Sequence, residues 1–138
     1  MGTWGTGYFE DDFALDFIDD VEESNDPKQI IKNVLKNAVE SNYLESDDAT
    51  AVIISCTYID SQLNGTKFSR DEEDHIEVDT FSSRNPSIDF SDLKINAITA
   101  LKKVITDNSE LNELWFENEE DYPIWKNGVE KLIQSLSK

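Results

Sequence analysis

The chain has 138 residues, and its 30 Asp and Glu outnumber its 12 Lys and Arg, which gives a formal net charge of −18 at pH 7. This charge repels nucleic acid and anionic membrane surfaces and attracts basic partners. One cysteine and one histidine exclude an internal disulfide, a cysteine-based zinc cluster and a two-histidine metal motif.

The nine N-terminal residues are rich in glycine and aromatic side chains and predict a loop that folds back onto the core. Gly5 and Gly7 permit tight backbone turns. Trp4 and Phe9 supply apolar surface, and we expect the Trp4 indole to be buried against the first and last helices. The predicted role of this segment is structural.

Six segments then place apolar residues at the spacing of an α-helix. They cover about 12–23, 27–41 and 47–63, and later begin near residues 91, 109 and 123. The third segment is the most apolar, and its β-branched residues leave a strand as an alternative, although its length favours a helix. The pattern predicts a mainly α fold: a compact single-domain bundle of about five to six helices.

The segment at about 66–90 is less regular and acidic. It contains the run Asp71, Glu72, Glu73 and Asp74, after which Ile76 and Val78 alternate with polar residues. Alternation of this kind is typical of a strand that is buried on one face. We therefore allow one short edge strand here, within a single domain that spans residues 1–138.

No stretch approaches the ~20 consecutive apolar residues of a membrane span. The N-terminus has no basic residue before Lys28, unlike a secretory signal. We therefore predict a cytoplasmic protein that has no membrane segment and does not bind nucleic acid directly. The sequence leaves its oligomeric state open.

The acidic residues are clustered, with nine in residues 1–27, six in 71–79 and five in 113–121, and no Lys or Arg in any of these ranges. On the first helix they lie opposite apolar residues such as Phe17. Such a surface is either a solvated face or a site for a basic protein. The candidate partner-binding residues are Asp12, Asp16, Asp19, Asp20, Glu23, Asp71, Glu72, Glu73 and Asp74.

Other chemistry has weaker support in the sequence. The N-terminal carboxylates could form a loose divalent-cation patch, but no segment matches an EF-hand loop. Gly5-Thr6-Gly7 is too short for a phosphate-binding loop and lacks its lysine. Cys56 lies on the apolar third helix, which predicts an inert core thiol. We predict no catalytic residue, no metal site and no cofactor.

The N-terminal sequence MGTWGTGYFEDDFALDF resembles a bacterial family described as domain of unknown function 4259. The matching positions are Trp4, Gly5, Gly7, Phe9, Asp12, Ala14, Asp16 and Phe17. Tyr43–Glu45 and Asn108–Trp115 are also similar to family members. The resemblance implies a bacterial, mainly helical protein, and since the family has no known activity it implies no catalytic residues.

Three functions are compatible with these patterns. The first is an acidic interaction protein that neutralises a basic partner, as an immunity protein or antitoxin does. The second is a housekeeping helical domain whose acidity serves solubility alone. The third is a metal-dependent hydrolase that uses the N-terminal carboxylates. The first two share every sequence feature, whereas the third requires carboxylates that converge in a cleft.

Overall fold

The computed structural model describes residues 5–68 and 77–138, and within these ranges it contains seven α-helices and one short 3-10 helix. The α-helices are α1 (Asp12–Glu23), α2 (Pro27–Glu40), α3 (Ser46–Asn64), α4 (Glu77–Arg84), α5 (Lys94–Val104), α6 (Glu110–Phe116) and α7 (Tyr122–Leu136). The 3-10 helix covers Ser91–Leu93, directly before α5. The mainly α prediction is confirmed. The predictions for Trp4 and for Asp71, Glu72, Glu73 and Asp74 lie outside the described residues.

Helix α3 is the centre of the fold, because each of the other six α-helices packs against it. Every residue from Ala49 to Ser61 is buried, as expected for a helix that is apolar on all sides. It ends at Gly65, whose φ of 70° is the left-handed conformation that glycine adopts at low steric cost. Within the described residues, no helix is both long and apolar enough to cross a membrane.

The first two helices begin at side-chain caps. Asp11 accepts a hydrogen bond from the Ala14 backbone N–H at 3.0 Å, and Asp26 accepts one from Gln29 at 3.2 Å. Pro27 occupies the start of α2, where its missing N–H costs nothing. Each cap satisfies a backbone donor that has no partner within the helix and contributes about 1 kcal/mol.

Helix α4 corrects two sequence predictions. The described residues form seven α-helices rather than five or six, and residues 77–84, where an edge strand was allowed, are helical. The reason is tertiary: Val78 and Phe81, three residues apart, are both buried. The Phe81 ring packs edge-on against Tyr58 at 5.1 Å and stacks on Phe90 at 5.7 Å. The described part of the 66–90 segment is therefore more regular than predicted.

A short backbone pairing fixes the start of α3 beside the start of α6. The N–H of Leu44 donates to the Asn108 carbonyl at 2.8 Å, and the N–H of Glu110 donates to the Leu44 carbonyl at 2.8 Å. The Glu110 carboxylate also accepts from the N–H of Ser46 at 2.9 Å. These bonds place α6, with Trp115, next to the first turns of α3.

Candidate functional site

The five partner-binding candidates on the first helix share one face of α1. They are Asp12, Asp16, Asp19, Asp20 and Glu23, and each is exposed. The buried residues of the same helix are Ala14, Phe17, Ile18 and Val21. We call the five exposed carboxylates the α1 acidic face.

No ion pair between described residues neutralises the α1 acidic face. The two such pairs are Lys28 with Asp92 at 2.8 Å and Arg84 with Glu22 at 2.7 Å. Helix α1 itself contains no Lys or Arg. The negative charge of this face is therefore available to an external cation.

Basic residues are concentrated on two other helices. Helices α2 and α5 pack against each other and carry Lys28, Lys32 and Lys36, and Lys94, Lys102 and Lys103, respectively. The Lys103 ammonium donates to the Ala38 carbonyl at 3.0 Å, so part of this positive charge serves the packing of the two helices. Helices α2 and α5 thus differ from α1, which contains no Lys or Arg.

Glu22 is the acidic residue of α1 that is not exposed, and its role is structural. Its side chain is 16% exposed and pairs with Arg84, while the Tyr58 hydroxyl donates to it at 2.9 Å. Burial, followed by the charge of Glu22, raises the pKa of Tyr58, so this phenol remains a proton donor. Arg84 also donates to the Glu77 carbonyl at 2.8 Å. This network joins α1, α3 and α4.

A cavity of about 30 Å³ lies at the N-terminal end of α1. It is lined by Gly5, Thr6, Gly7, Tyr8, Asp11, Thr50, Ile53, Leu111, Trp115, Trp125 and Val129. The rings of Trp115 and Trp125 stack with their centroids 6.1 Å apart and their planes 16° apart. The cavity therefore has an aromatic wall from α6 and α7 and a carboxylate at the cap of α1.

Thr50 contributes a threonine side chain to the lining of this cavity. Its side chain is on α3 and the residue is only 7% exposed. Its hydroxyl has no hydrogen-bond partner among residues 5–68 and 77–138, in contrast to Thr57, whose hydroxyl donates to the Ile54 carbonyl at 2.6 Å. Buried hydroxyl groups are normally hydrogen-bonded, and among the described residues the buried side-chain oxygen without a partner is Ser55 Oγ, on the same helix, so the Thr50 hydroxyl is not a buried unsatisfied group.

Tyr8 fixes the N-terminal segment across this cavity. Its hydroxyl donates to the Gly128 carbonyl of α7 at 2.5 Å. Its ring packs edge-on against Phe9 at 6.3 Å and against Phe68 at 5.9 Å. The segment from Gly5 onward is therefore held against α7, in agreement with the predicted loop that folds back onto the core.

The glycines of the N-terminal motif make room for a side chain. A Cβ atom at Gly5 would lie 1.7 Å from Glu10 Oε2, and one at Gly7 would lie 2.6 Å from Glu10 Oε1. Neither glycine has a positive φ, since Gly65 is the one described residue that does. Residues 5–9 do form bends and a turn, with a hydrogen bond from the Glu10 N–H to the Gly7 carbonyl at 3.2 Å, and the two glycines also leave room for the Glu10 side chain against the backbone.

Replacing Tyr8 by phenylalanine is expected to lower the free energy of unfolding by about 1 kcal/mol at neutral pH, because the hydrogen bond to Gly128 is lost. Burial, followed by the charge of Asp60, raises the pKa of Tyr8 from 10.0 to about 12. The native state therefore favours the neutral phenol. The stabilisation of the fold by this preference is complete below pH 10 and is lost as the pH rises through about 12.

The stability difference between wild type and Tyr8→Phe should therefore narrow between pH 10 and 12. Urea unfolding of both proteins across this pH range measures the stability difference. The titration of the other groups affects both proteins equally and therefore cancels in the comparison. A difference that does not change with pH would contradict the assigned environment of Tyr8.

We find no cluster of potential metal ligands among the residues that the structure describes. Among residues 5–68 and 77–138, no three His, Cys, Asp or Glu side chains are close enough to hold a metal ion. Cys56 is buried, and burial followed by the charge of Asp60 raises the pKa of its thiol. Its Sγ donates to the Ala97 carbonyl at 3.6 Å. Cys56 is therefore a neutral core thiol, as its position on an apolar helix predicts.

A comparison with known families matches residues 2–128 to the family described as domain of unknown function (DUF4259). No curated protein and no solved structure is significantly similar to the chain. The matched range includes the N-terminal motif and the described residues of the cavity except Val129.

Proposed function

This chain belongs to the family described as domain of unknown function (DUF4259), and since that description names no activity, we propose a function from the surface of the molecule. The chain is a bacterial, cytoplasmic binding protein that recognises a basic protein through the α1 acidic face. The proposed partner is of the kind that an immunity protein or an antitoxin binds. It presents a cationic surface, such as the groove in which a nuclease binds phosphate.

The observation that carries this proposal is the uncompensated charge of α1. Three pairs of carboxylates on this face are four residues apart, and each pair opposes helix formation by about 0.2–0.5 kcal/mol. They are Asp12/Asp16, Asp16/Asp20 and Asp19/Glu23. A helix face that served solubility alone would not need so many neighbouring carboxylates, since charges of both signs keep a surface soluble. A cationic partner relieves the repulsion on binding.

Charge reversal tests the proposal. Lysine substitution of Asp19, Asp20 and Glu23 is expected to slow association with the partner at least about tenfold at low salt, because charges at the edge of an interface act mainly on the rate of encounter. High salt should reduce the difference. Stopped-flow measurement at low and high ionic strength, with a basic protein captured from the source cell at low salt, gives these rates.

A second triple variant provides the matched control. Glu40, Asp107 and Glu130 are exposed, lie outside α1, and change the net charge equally when replaced by lysine. This control is expected to change the association rate less than about threefold. Equal effects of the two triple variants, or the absence of any basic partner at low salt, would refute the proposal. Thermal unfolding of the α1 variant should remain near that of wild type, because the substituted residues are exposed.

A further inference from the structure

We propose that the cavity at the N-terminal end of α1 receives a primary ammonium group, the tip of a lysine side chain from the basic partner. This inference rests on the proposed function and adds to it the residue of the partner that is recognised. The cavity adjoins the α1 acidic face directly, because Asp11 lines it and Asp12 is the next residue.

The size of the cavity selects the group that fits. Its volume of about 30 Å³ accommodates about two water-sized groups, at 10–15 Å³ each. An ammonium nitrogen and the methylene attached to it match this space. A guanidinium group has four heavy atoms in a plane and is too large, as is an intact drug-sized ligand, which requires hundreds of Å³.

The lining of the cavity suits a cation that donates hydrogen bonds. Trp115 and Trp125 supply indole rings, whose electron-rich faces attract ammonium groups. Thr50 supplies a hydroxyl that is 7% exposed and has no partner among the described residues. Since an ammonium group has three donors and no acceptor, it would donate to this oxygen. The Asp11 carboxylate supplies the opposite charge.

The approach to the cavity is also anionic. The exposed residues Glu113 and Glu117 lie on α6 and directly after it, close in sequence to Trp115. The α1 acidic face adjoins the opposite wall at Asp11. An entrance between two acidic segments concentrates cations and repels anions, so a phosphate or carboxylate ligand is disfavoured.

The first experiment uses a small probe. Ethylammonium chloride is titrated into the full chain, and the NMR signals of the Trp115 and Trp125 indole N–H groups are followed. Saturable shifts of both signals are expected with ethylammonium, and none with tetramethylammonium or sodium at equal ionic strength. Shifts that are equal for ethylammonium and tetramethylammonium, or absent for both, would overturn the proposal.

Thr50→Val is the matched variant, because valine keeps the shape of threonine and removes the hydroxyl. It is expected to weaken ethylammonium binding about tenfold, the loss typical of a hydrogen bond to a charged group. Thr99→Val is the control: Thr99 is exposed on α5, and its hydroxyl donates to the Ile95 carbonyl, so ethylammonium binding should not change. Unchanged binding by Thr50→Val would overturn the assignment of the hydroxyl.

Peptides distinguish a protein lysine from a free amine. A peptide with one central lysine is expected to shift the same indole signals, whereas its Nζ-acetylated and arginine counterparts should not. Binding of ethylammonium but not of the lysine peptide would overturn the lysine assignment. If Thr50→Val leaves the affinity for the partner unchanged while the α1 charge reversal slows association, this inference fails and the proposed function stands.

Discussion

Replacing Tyr58 by alanine is expected to lower the free energy of unfolding by about 3–5 kcal/mol, the range for truncating a large aromatic side chain in a core. Tyr58 is 1% exposed at the centre of α3. Its ring packs edge-on against Phe81, and its hydroxyl donates to Glu22. Truncation therefore removes packing against α4 and the contact with α1 together, and the surrounding helices cannot close the space without moving.

Tyr58→Phe separates the two contributions. It keeps the ring against Phe81 and removes only the hydroxyl, and Glu22 retains its ion pair with Arg84 at 2.7 Å. The expected loss is about 1–2 kcal/mol, because one hydrogen bond to a charged group disappears. Urea unfolding at neutral pH measures both variants. A loss for alanine no greater than that for phenylalanine would show that the ring contributes little to the core.

The parts of the fold that sequence could predict are those set by local chemistry. Asp26 and Pro27 begin α2 because a carboxylate cap and a residue without an N–H suit the first turn of any helix. Gly65 ends α3 because the left-handed conformation favours glycine. The burial of α3 follows from its apolar composition alone. None of these features depends on a distant part of the chain.

Helix α4 could not be predicted in this way, because its eight residues give barely two turns of periodicity. Val78 alternates with polar neighbours, and that pattern is typical of a strand. The helix is stabilised instead by Phe81 against Tyr58 and by Arg84 against Glu22. Such tertiary contacts override a weak local preference.

The candidate site also has one part that the local sequence predicts and one part that depends on the packing of distant helices. The exposure of the α1 acidic face follows from the spacing of Asp12, Asp16 and Asp20 opposite the apolar residues, so one helical period is enough to predict it. The cavity does not follow from any local pattern. It brings together Thr50 of α3 and Trp115 of α6, which are 65 positions apart along the chain, so it exists only once the helices are packed.

Replacing Asp60 by alanine is expected to lower the free energy of unfolding by about 2–4 kcal/mol, because two partly buried hydrogen bonds to a buried, charged acceptor are lost. Asp60 lies on α3, is 1% exposed, and accepts from Ser135 Oγ at 2.7 Å and Asn64 Nδ2 at 2.7 Å. Asn64 Nδ2 also donates to the Ser135 carbonyl at 3.0 Å. Asp60 thus joins the end of α3 to the end of α7.

Asp60→Asn is the conservative control, since it keeps an oxygen for both donors and removes the charge. Its loss of stability is expected to be about 1 kcal/mol, smaller than that of alanine because the donors stay paired. It should also lower the pKa of Tyr8 below about 12, because the charge of Asp60 is the second cause, after burial, of the raised value. Urea unfolding and absorbance titration of the phenols measure the two effects. An asparagine variant that is as unstable as alanine, with the pKa of Tyr8 unchanged, would mean that Asp60 acts through neither its charge nor these hydrogen bonds.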